Sequence, residues 1–233
     1  MTTFNKPLVI AHRGASNDFP ENSLDAFSGA LDQGADWVEL DVRRSRDGVL
    51  VINHDAFLPD GRLIRDLDAD GLPAGIPSLA EAFEISNSMG VNIEIKHLPG
   101  EPDFDEVDYV CEAVSGLARA YRSLDEILVS SFDINAIDRI KATDPEIPTG
   151  WLVAERQDGT QILDRVEMHN HRALNPWDEL VDETLVIEAH KRGLLVMVWT
   201  VDDPYRILEL AGWGVDGIIT NKPAIAVQTL RGS

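Results

Sequence analysis

The feature that most constrains this chain is a regular alternation of short apolar runs with longer amphipathic segments. It occurs eight times if Trp37–His54 is counted as one strand unit. Strands that alternate with helices pair in parallel. A closed (β/α)8 barrel, or TIM barrel, typically needs about 250 residues. We therefore predict one such barrel domain over residues 1–233, with a short insertion after the second strand unit. The alternative, a doubly wound open sheet, is disfavoured because no Gly-rich loop follows the first strand.

The predicted elements follow hydrophobic periodicity and capping residues. The predicted strands are Leu8–His12, Trp37–Val42, Val49–His54 (a continuation of the preceding strand or its hairpin partner), Val91–Lys96, Glu126–Phe132, Thr149–Val153, Arg172–Asn175, Leu194–Thr200 and Gly217–Thr220. The predicted helices are Ser23–Gln33, Ser78–Ser88, Asp105–Arg119, Ile134–Ala142, Gln161–His169, Glu183–Arg192, Pro204–Ala211 and Ala224–Leu230. The insertion, Pro59–Pro77, is predicted to be an extended loop that can act as a lid.

Charge and composition restrict the partners of the protein. The net charge of −21 disfavours binding to nucleic acid and to anionic bilayers, so an anionic substrate needs local positive charge at its site. The single cysteine, Cys111, is predicted to be a buried helical thiol. No signal peptide is apparent and no apolar run approaches the ~20 residues of a membrane span. We expect a cytoplasmic protein without stable membrane association; the oligomeric state stays open.

Ionisable residues concentrate at the predicted ends of the first strands, which form the active-site face of a parallel barrel. Glu39 and Asp41 are two positions apart, so their side chains share the inward face, as do Glu94 and Lys96. Three carboxylates gathered near one barrel mouth would repel each other unless a cation compensates them. Oxygen ligands of this kind favour a divalent metal, Mg²⁺ or Ca²⁺.

Two histidines, His12 and His54, stand at strand ends beside these carboxylates. Imidazole titrates near neutral pH, so the pair suits acid/base cleavage of a P–O bond, with Arg13 and Lys96 neutralising the phosphate. Each residue also has a structural interpretation: a strand-end histidine is often structural, and Glu94–Lys96 can be a buried ion pair. The convergence of these groups on one face favours function. The remaining residues of this kind have structural interpretations: Asn22 or Ser23 caps the first helix, Trp199 can be core, and His97, His169, His171 and His190 are surface or helix-packing residues.

Several segments together resemble one enzyme family. They are His12–Ala15 (HRGA) with Pro20–Ser23 (PENS), Val38–Val42 (VELDV) with Asp47-Gly48 and His54-Asp55, Asn92–Lys96 (NIEIK), Val198–Asp202 (VWTVD) and Asp216–Pro223 (DGIITNKP). In this order they resemble the glycerophosphodiester phosphodiesterases, over essentially the whole chain. Two departures stand out: the R-T-T-x-G pattern common after the second histidine is absent, and Asn221 stands where Asp is common.

The resemblance implies a TIM barrel that hydrolyses glycerophosphodiesters to sn-glycerol 3-phosphate and an alcohol, a reaction of glycerol and lipid metabolism. It implies the following roles: metal ligands Glu39, Asp41 and Glu94; acid/base pair His12 and His54; phosphate contacts Arg13 and Lys96; glycerol contact Trp199. One alternative is a phosphodiesterase for lysophospholipids or other diesters, for which Leu63, Ile64, Leu67 and Leu72 would supply an apolar mouth. Another is a non-catalytic barrel that binds phosphodiesters.

Overall fold

The computed structural model describes residues 6–104 and 109–232, and in this part of the chain nine strands form one sheet. The strands are β1 (Leu8–His12), β2 (Trp37–Arg44), β3 (Leu50–Ile52), β4 (Gly90–Ile95), β5 (Ile127–Ser131), β6 (Thr149–Val153), β7 (Ala173–Pro176), β8 (Leu195–Val198) and β9 (Gly217–Thr220). All except β3 are parallel to their neighbours. β1 pairs with β2 on one side and with β9 on the other, so the sheet closes. The predicted eight-stranded barrel is confirmed.

Eight helices of the described chain surround the barrel. They are α1 (Leu24–Asp32), α2 (Leu79–Ile85), α3 (Tyr109–Tyr121), α4 (Ile134–Thr143), α5 (Gly159–Met168), α6 (Glu183–Lys191), α7 (Pro204–Trp213) and α8 (Pro223–Arg231). The predicted capping box of α2 is present: the Ser78 side chain accepts from the Glu81 amide, and the Glu81 side chain accepts from the Ser78 amide. The predicted start of α3 at Asp105 lies outside the described residues. No helix in residues 6–104 and 109–232 combines the length and apolarity needed to cross a bilayer.

Successive side chains of each strand point alternately outward to the helices and inward to the barrel interior, and both faces are buried. This alternation positions the site. Outward residues such as Val38, Leu40 and Val42 pack in the main core together with the helices, as predicted. Inward residues such as Ile10 and Met197 form a smaller apolar cluster inside the barrel. Because the strands are parallel, their carboxyl ends open at one mouth. Polar inward side chains near these ends therefore meet above an apolar floor. Cys111 is fully buried in α3, which confirms its prediction.

The segment after β2 is a hairpin rather than a continued strand. β3 runs antiparallel to β2, with Val42 opposite Ile52, and Gly48 takes a φ of +90° in the turn. The insertion that follows has its own apolar cluster, in which Ile64 is fully buried among strand and loop residues. Leu67 and Leu72 of the insertion pack in this cluster together with Val49 and Val51 of the hairpin.

Candidate active site

The barrel mouth contains a cavity of about 290 Å³. It is lined by His12, Arg13, Glu39, His54, Asn92, Glu94, Lys96, Phe132, Leu152, Trp199, Thr200 and Ile219. Every residue of the predicted site is in this set except Asp41, which is fully buried and contacts two of the others. No residue of Pro59–Pro77 is among the cavity-lining residues of the described chain, so the expected lid and apolar mouth are not formed by this segment.

A sharp turn between β1 and α1 brings the chain back toward β2. Arg13 and Gly14 both have positive φ angles, +56° and +82°. A Cβ at Gly14 would lie 2.6 Å from the carbonyl carbon of Ala26, so only glycine fits there. The turn points the Arg13 amide at Oε2 of Glu39, and the two atoms lie 2.9 Å apart.

The three predicted metal ligands form one buried cluster. Single ligand atoms of Glu39, Asp41 and Glu94 lie within 4.8 Å of one another. Oε1 of Glu39 is buried and makes no hydrogen bond within the described chain. Burial, with the nearby charge of Asp41, raises the pKa of Glu39 to about 8 and that of Glu94 to about 7. The cluster is compact, offers only oxygen ligands and has, among the described residues, a carboxylate oxygen without a hydrogen bond. It therefore fits a hard divalent cation.

Two cationic side chains partly neutralise these carboxylates. Lys96 Nζ lies 2.5 Å from Oε1 of Glu94 and 3.1 Å from Oδ1 of Asp41, while Arg13 Nε lies 3.2 Å from Oδ2 of Asp41. Burial alone would raise the pKa of Asp41, but the Lys96 and Arg13 charges outweigh it and hold that pKa below its ordinary value. Lys96 and Arg13 also line the cavity, so their charge is available to an anion there.

Of the two predicted caps of α1, Asn22 and Ser23, Asn22 does not cap the helix. Ser23 caps α1, its hydroxyl accepting from the Ala26 amide. The Asn22 side chain instead donates to Oδ2 of Asp41 at 2.7 Å and accepts from the Asp41 amide at 3.3 Å. The left-handed backbone at Asn22, with φ +57°, turns its amide group inward to β2. The residue therefore fixes the rotamer of a candidate ligand.

His12 is oriented by the last strand of the barrel. Its Nδ1 lies 2.7 Å from Oδ1 of Asn221. Asn221 Nδ2 donates to Asp202, so the amide oxygen faces the histidine and Nδ1 must donate the proton. This leaves Nε2 unprotonated in the neutral ring, 3.9 Å from Oε2 of Glu39. Burial and the Arg13 charge lower the pKa of His12.

His54 follows the hairpin and is held at two points. Its Nδ1 lies 2.7 Å from the Asp55 carboxylate, so Nδ1 carries the proton and Nε2 is available for chemistry. Its backbone carbonyl accepts from Nε and Nη2 of Arg43 at 2.9 and 2.6 Å. Arg43 in turn pairs through Nη1 with Asp103 and Glu101 at 2.6 and 2.9 Å. Burial and the Lys96 charge lower the pKa of His54.

The opposite wall of the cavity is largely apolar. Trp199 donates from Nε1 to the Asn175 carbonyl at 2.8 Å, and the Phe132 ring meets its ring edge-on, with centroids 5.4 Å apart. Leu152 and Ile219 complete this wall. The cavity thus has a charged side, made by β1, β2 and β4, and an apolar side.

Several cavity residues, and the partner of His12, were not predicted from the sequence. Asn221, Phe132 and Thr200 stand at strand ends, which was the signal that could have found them. Asn92 lines the cavity with a buried Oδ1 that makes no hydrogen bond in the described chain. Asn92 is the register partner of Glu39 between β2 and β4, and the sequence alone does not give the register of two strands.

A (β/α)8 barrel that gathers its ionisable side chains at the carboxyl ends of its strands has the organisation of the barrel enzymes. Residues 12–225 match the model of the Glycerophosphoryl diester phosphodiesterase family. The chain belongs to this family, and it is an enzyme of the phosphodiesterase class.

Individual relatives agree over nearly the full length. The chain is 32% identical over 252 aligned positions to a glycerophosphodiester phosphodiesterase of Caldanaerobacter subterraneus subsp. tengcongensis, covering 97% of this chain and 98% of the relative. Among solved structures it resembles an Oleispira antarctica phosphodiesterase in complex with the product sn-glycerol-3-phosphate, at 30% identity, TM-score 0.86 and 96% coverage of both chains. A glycerophosphodiester phosphodiesterase from Thermotoga maritima gives 28% identity and a TM-score of 0.82, covering 95% of this chain and 97% of that one.

Proposed function

We propose that this enzyme hydrolyses glycerophosphodiesters to sn-glycerol 3-phosphate and an alcohol, using a divalent metal and two histidines. One observation supports this best: a buried three-carboxylate cluster and two histidines, each with Nδ1 engaged, line or adjoin a single cavity. The related Oleispira enzyme, whose structure contains sn-glycerol-3-phosphate, is consistent with the same product.

Glu39, Asp41 and Glu94 are the proposed metal ligands. The under-satisfied Oε1 of Glu39 and the raised pKa values of Glu39 and Glu94 are what we expect of buried, closely spaced carboxylates that serve as cation ligands. Mg²⁺ or Ca²⁺ suits this all-oxygen set. When bound, the metal supplies Lewis-acid stabilisation of the negative charge that develops on the phosphoryl oxygens.

His12 and His54 are the proposed acid/base pair. Because Nδ1 of each ring is held by an acceptor, each can exchange a proton through Nε2. One ring takes the proton of the hydroxyl that attacks phosphorus, and the other gives a proton to the departing alcohol oxygen. The lowered pKa values favour the unprotonated Nε2 that the base needs, whereas the ring that acts as the acid must hold a second proton, on Nε2, before the alcohol leaves.

The two sides of the cavity divide substrate recognition. Arg13 and Lys96 face the cavity from the charged side and neutralise the phosphate, which a protein of net charge −21 requires. Trp199 and Phe132 provide the flat apolar surface for the carbon skeleton of the glycerol.

The test is release of sn-glycerol 3-phosphate from glycerophosphocholine, glycerophosphoethanolamine and glycerophosphoglycerol, with lysophosphatidylcholine as the lipid comparison. Each assay is run with Mg²⁺, with Ca²⁺ and with EDTA. We expect turnover of the soluble diesters and its loss in EDTA. Activity that survives thorough chelation would contradict the metal assignment, and no activity on any of these diesters would overturn the proposed function.

A matched pair of variants tests the histidine role. His54→Ala should lower kcat by about 10²–10⁴. The control is His190→Gln, because the His190 side chain is exposed to the same extent, 38%, and also pairs with an aspartate, but lies on α6 away from the cavity. A His54→Ala enzyme as active as the control would remove His54 from the mechanism.

A further inference from the structure

A second cluster of candidate metal ligands lies at the opposite end of the barrel from the catalytic mouth. Asp138 projects from α4, His169 ends α5, and His171 precedes β7 by two residues. One ligand atom from each of the three lies within 4.8 Å of those of the other two. Both histidines were expected to be surface or helix-packing residues, and the proposed reaction does not use them.

The geometry within this cluster is close to that of a metal site. His169 Nδ1 lies 2.8 Å from each carboxylate oxygen of Asp138, and His171 Nε2 lies 3.2 Å from Oδ1 of Asp138. Tetrahedral Zn²⁺, with bonds of about 2.0–2.1 Å, separates neighbouring ligand atoms by about 3.3 Å. Small side-chain adjustments would therefore bring these three ligands onto one ion.

His171 supplies the second, independent indication. Its side chain is fully buried, and Nε2 lies 3.2 Å from Oδ1 of Asp138 without meeting hydrogen-bond geometry in the described chain. Its other nitrogen, Nδ1, lies 2.9 Å from the hydroxyl of Thr149 at the start of β6. A metal ion bound to the Nε2 lone pair would require Nδ1–H to donate to this hydroxyl, which is how an outer partner prepares a histidine ligand.

We propose that Asp138, His169 and His171 form a binding site for a borderline transition-metal ion of the Zn²⁺ type, with an open fourth position. Two imidazole nitrogens and one carboxylate are the donor set that such an ion prefers, whereas Mg²⁺ and Ca²⁺ prefer oxygen alone. The protein therefore presents two chemically different sites, an all-oxygen set at the mouth and a mixed nitrogen–oxygen set at the other end. The ion would tie α4 to the α5–β7 connection.

Lys141 provides an internal test of charge. It is three residues beyond Asp138 on α4, and its charge contributes to the lowering of the His171 pKa. Its ammonium donates to the Pro145 carbonyl at 2.9 Å and takes no direct part in the cluster. A cation in the cluster would be repelled by Lys141, so Lys141→Gln should tighten binding. A purely structural His–Asp–His group would bind no metal in either protein.

The experiment uses the full chain, saturated with Mg²⁺ so that the mouth is occupied. Co²⁺ is added as a spectroscopic probe, and Zn²⁺ binding is then measured by calorimetry and competition. We expect one equivalent of Zn²⁺ and the intense visible absorption of a low-coordinate Co²⁺ site. The Zn²⁺ binding and the Co²⁺ absorption should both be absent in His169→Ala and in Asp138→Asn. Both original side chains are partly exposed, so these variants are expected to fold. Thr149→Val should weaken zinc binding by about 10- to 100-fold.

The control is His190→Gln, which removes a half-exposed, aspartate-paired histidine outside the cluster and should bind Zn²⁺ as the unaltered protein does. Thermal unfolding adds a readout independent of catalysis, because a bound ion raises the midpoint of the protein and of this control but not of Asp138→Asn. Zinc binding that is unchanged in both His169→Ala and Asp138→Asn, or no binding beyond the Mg²⁺ site, would overturn the proposal.

Discussion

The pairing of His12 with the amide of Asn221 sets both the orientation and the basicity of that ring. An amide oxygen fixes the tautomer as a carboxylate would, but it does not stabilise the protonated ring with a full negative charge. Burial and the Arg13 charge lower the pKa of His12, and the hydrogen bond that His12 donates to Asn221 only partly opposes them. Asn221 is itself held rigid, since Asp202 accepts from both its side-chain and backbone nitrogens at 2.8 Å.

We therefore predict that Asn221→Ala lowers kcat by about 10-fold or more, though by less than loss of the histidine itself. Without the amide acceptor the pKa of His12 falls further, so the limb of the pH–rate profile that His12 controls should move to lower pH. The measurement is kcat/KM against pH with saturating metal. A profile that stays in place, or moves to higher pH, would show that Asn221 does not act on His12.

The raised pKa values of Glu39 and Glu94 predict an unusual pH dependence of stability when metal is removed. Both carboxyls bind protons more tightly in the folded protein, at about 8 and about 7, than unfolded glutamate does at ~4.3. The folded state then holds the extra protons, so stability falls as pH rises toward 8. From pH 6.5 to 8 we expect a loss of about 2 kcal/mol in EDTA, or about 4–8 °C in the unfolding midpoint.

Saturating metal should abolish most of this loss, because the cation stabilises the ionised carboxylates. The Glu39→Gln variant in EDTA should show a shallower dependence than the parent protein, since the group with the highest pKa no longer titrates. Differential scanning fluorimetry across this pH range, with and without metal, gives the comparison. Equal slopes for parent and variant in EDTA would refute the assignment of the titration to Glu39.

For single residues, the sequence predicted which side chains lie at the barrel mouth but not which residues hydrogen-bond to them. Seven of the eight predicted site residues line the cavity, and the eighth, Asp41, contacts Lys96 and Arg13 directly beneath it. Strand position and side-chain type suffice for this, since parallel strands must end at one mouth. The sequence could not separate Asn22 from Ser23 as the cap of α1, because asparagine and serine are equally suited to capping. Only the left-handed backbone of Asn22 turns its side chain inward.

Among the elements, the hairpin of β2 and β3 delivers His54 to the mouth, and Arg43 connects it to the loop that follows β4. The Arg43 side chain is only 3% exposed and spans from the His54 carbonyl to Asp103 and Glu101. A planar guanidinium makes these bonds in fixed directions, which a lysine ammonium cannot reproduce. Arg43 is thus a positioning residue for His54, acting through the backbone.

Arg43→Lys is predicted to lower the free energy of unfolding by about 1–3 kcal/mol and to reduce kcat more than it changes KM, because His54 loses its support while the phosphate contacts remain. Steady-state kinetics and chemical denaturation measure the two effects. Arg46→Lys is the matched control, since Arg46 lies in the same hairpin but forms an exposed pair with Asp68. Equal behaviour of the two variants would contradict the positioning role.

Element types followed from the sequence more securely than element ends. Strands β1, β6 and β9 have the predicted bounds, whereas the predicted helix Ser78–Ser88 ends at Ile85 and the predicted strand Leu194–Thr200 ends at Val198. Ends depend on which backbone groups find partners in three dimensions, and hydrophobic period does not record this. The expected lid was wrong because the sequence does not show that Leu67 and Leu72 of the insertion pack in a cluster with Val51 of β3.

For the whole molecule, the net charge of −21 should govern how fast anionic substrates arrive. Repulsion acts over about 30 Å at 0.01 M salt and about 8 Å at 0.15 M. We predict that kcat/KM rises as ionic strength increases across this range at constant metal activity. The rise should be larger for glycerophosphoglycerol, which is a net anion, than for zwitterionic glycerophosphocholine. A fall with salt, or equal responses of the two substrates, would show that local attraction at the mouth governs arrival instead.

The closure of the barrel through β1 and β9 has a consequence for synthesis. A ribosome that has made the first hundred residues has already produced both histidines and all three carboxylates. The acceptor for His12, however, is Asn221, and β1 gains its second neighbour only when β9 is added. Nascent chains that stall before this strand would carry every reactive group yet lack the oriented imidazole. Competence should therefore appear abruptly, once β9 has left the exit tunnel.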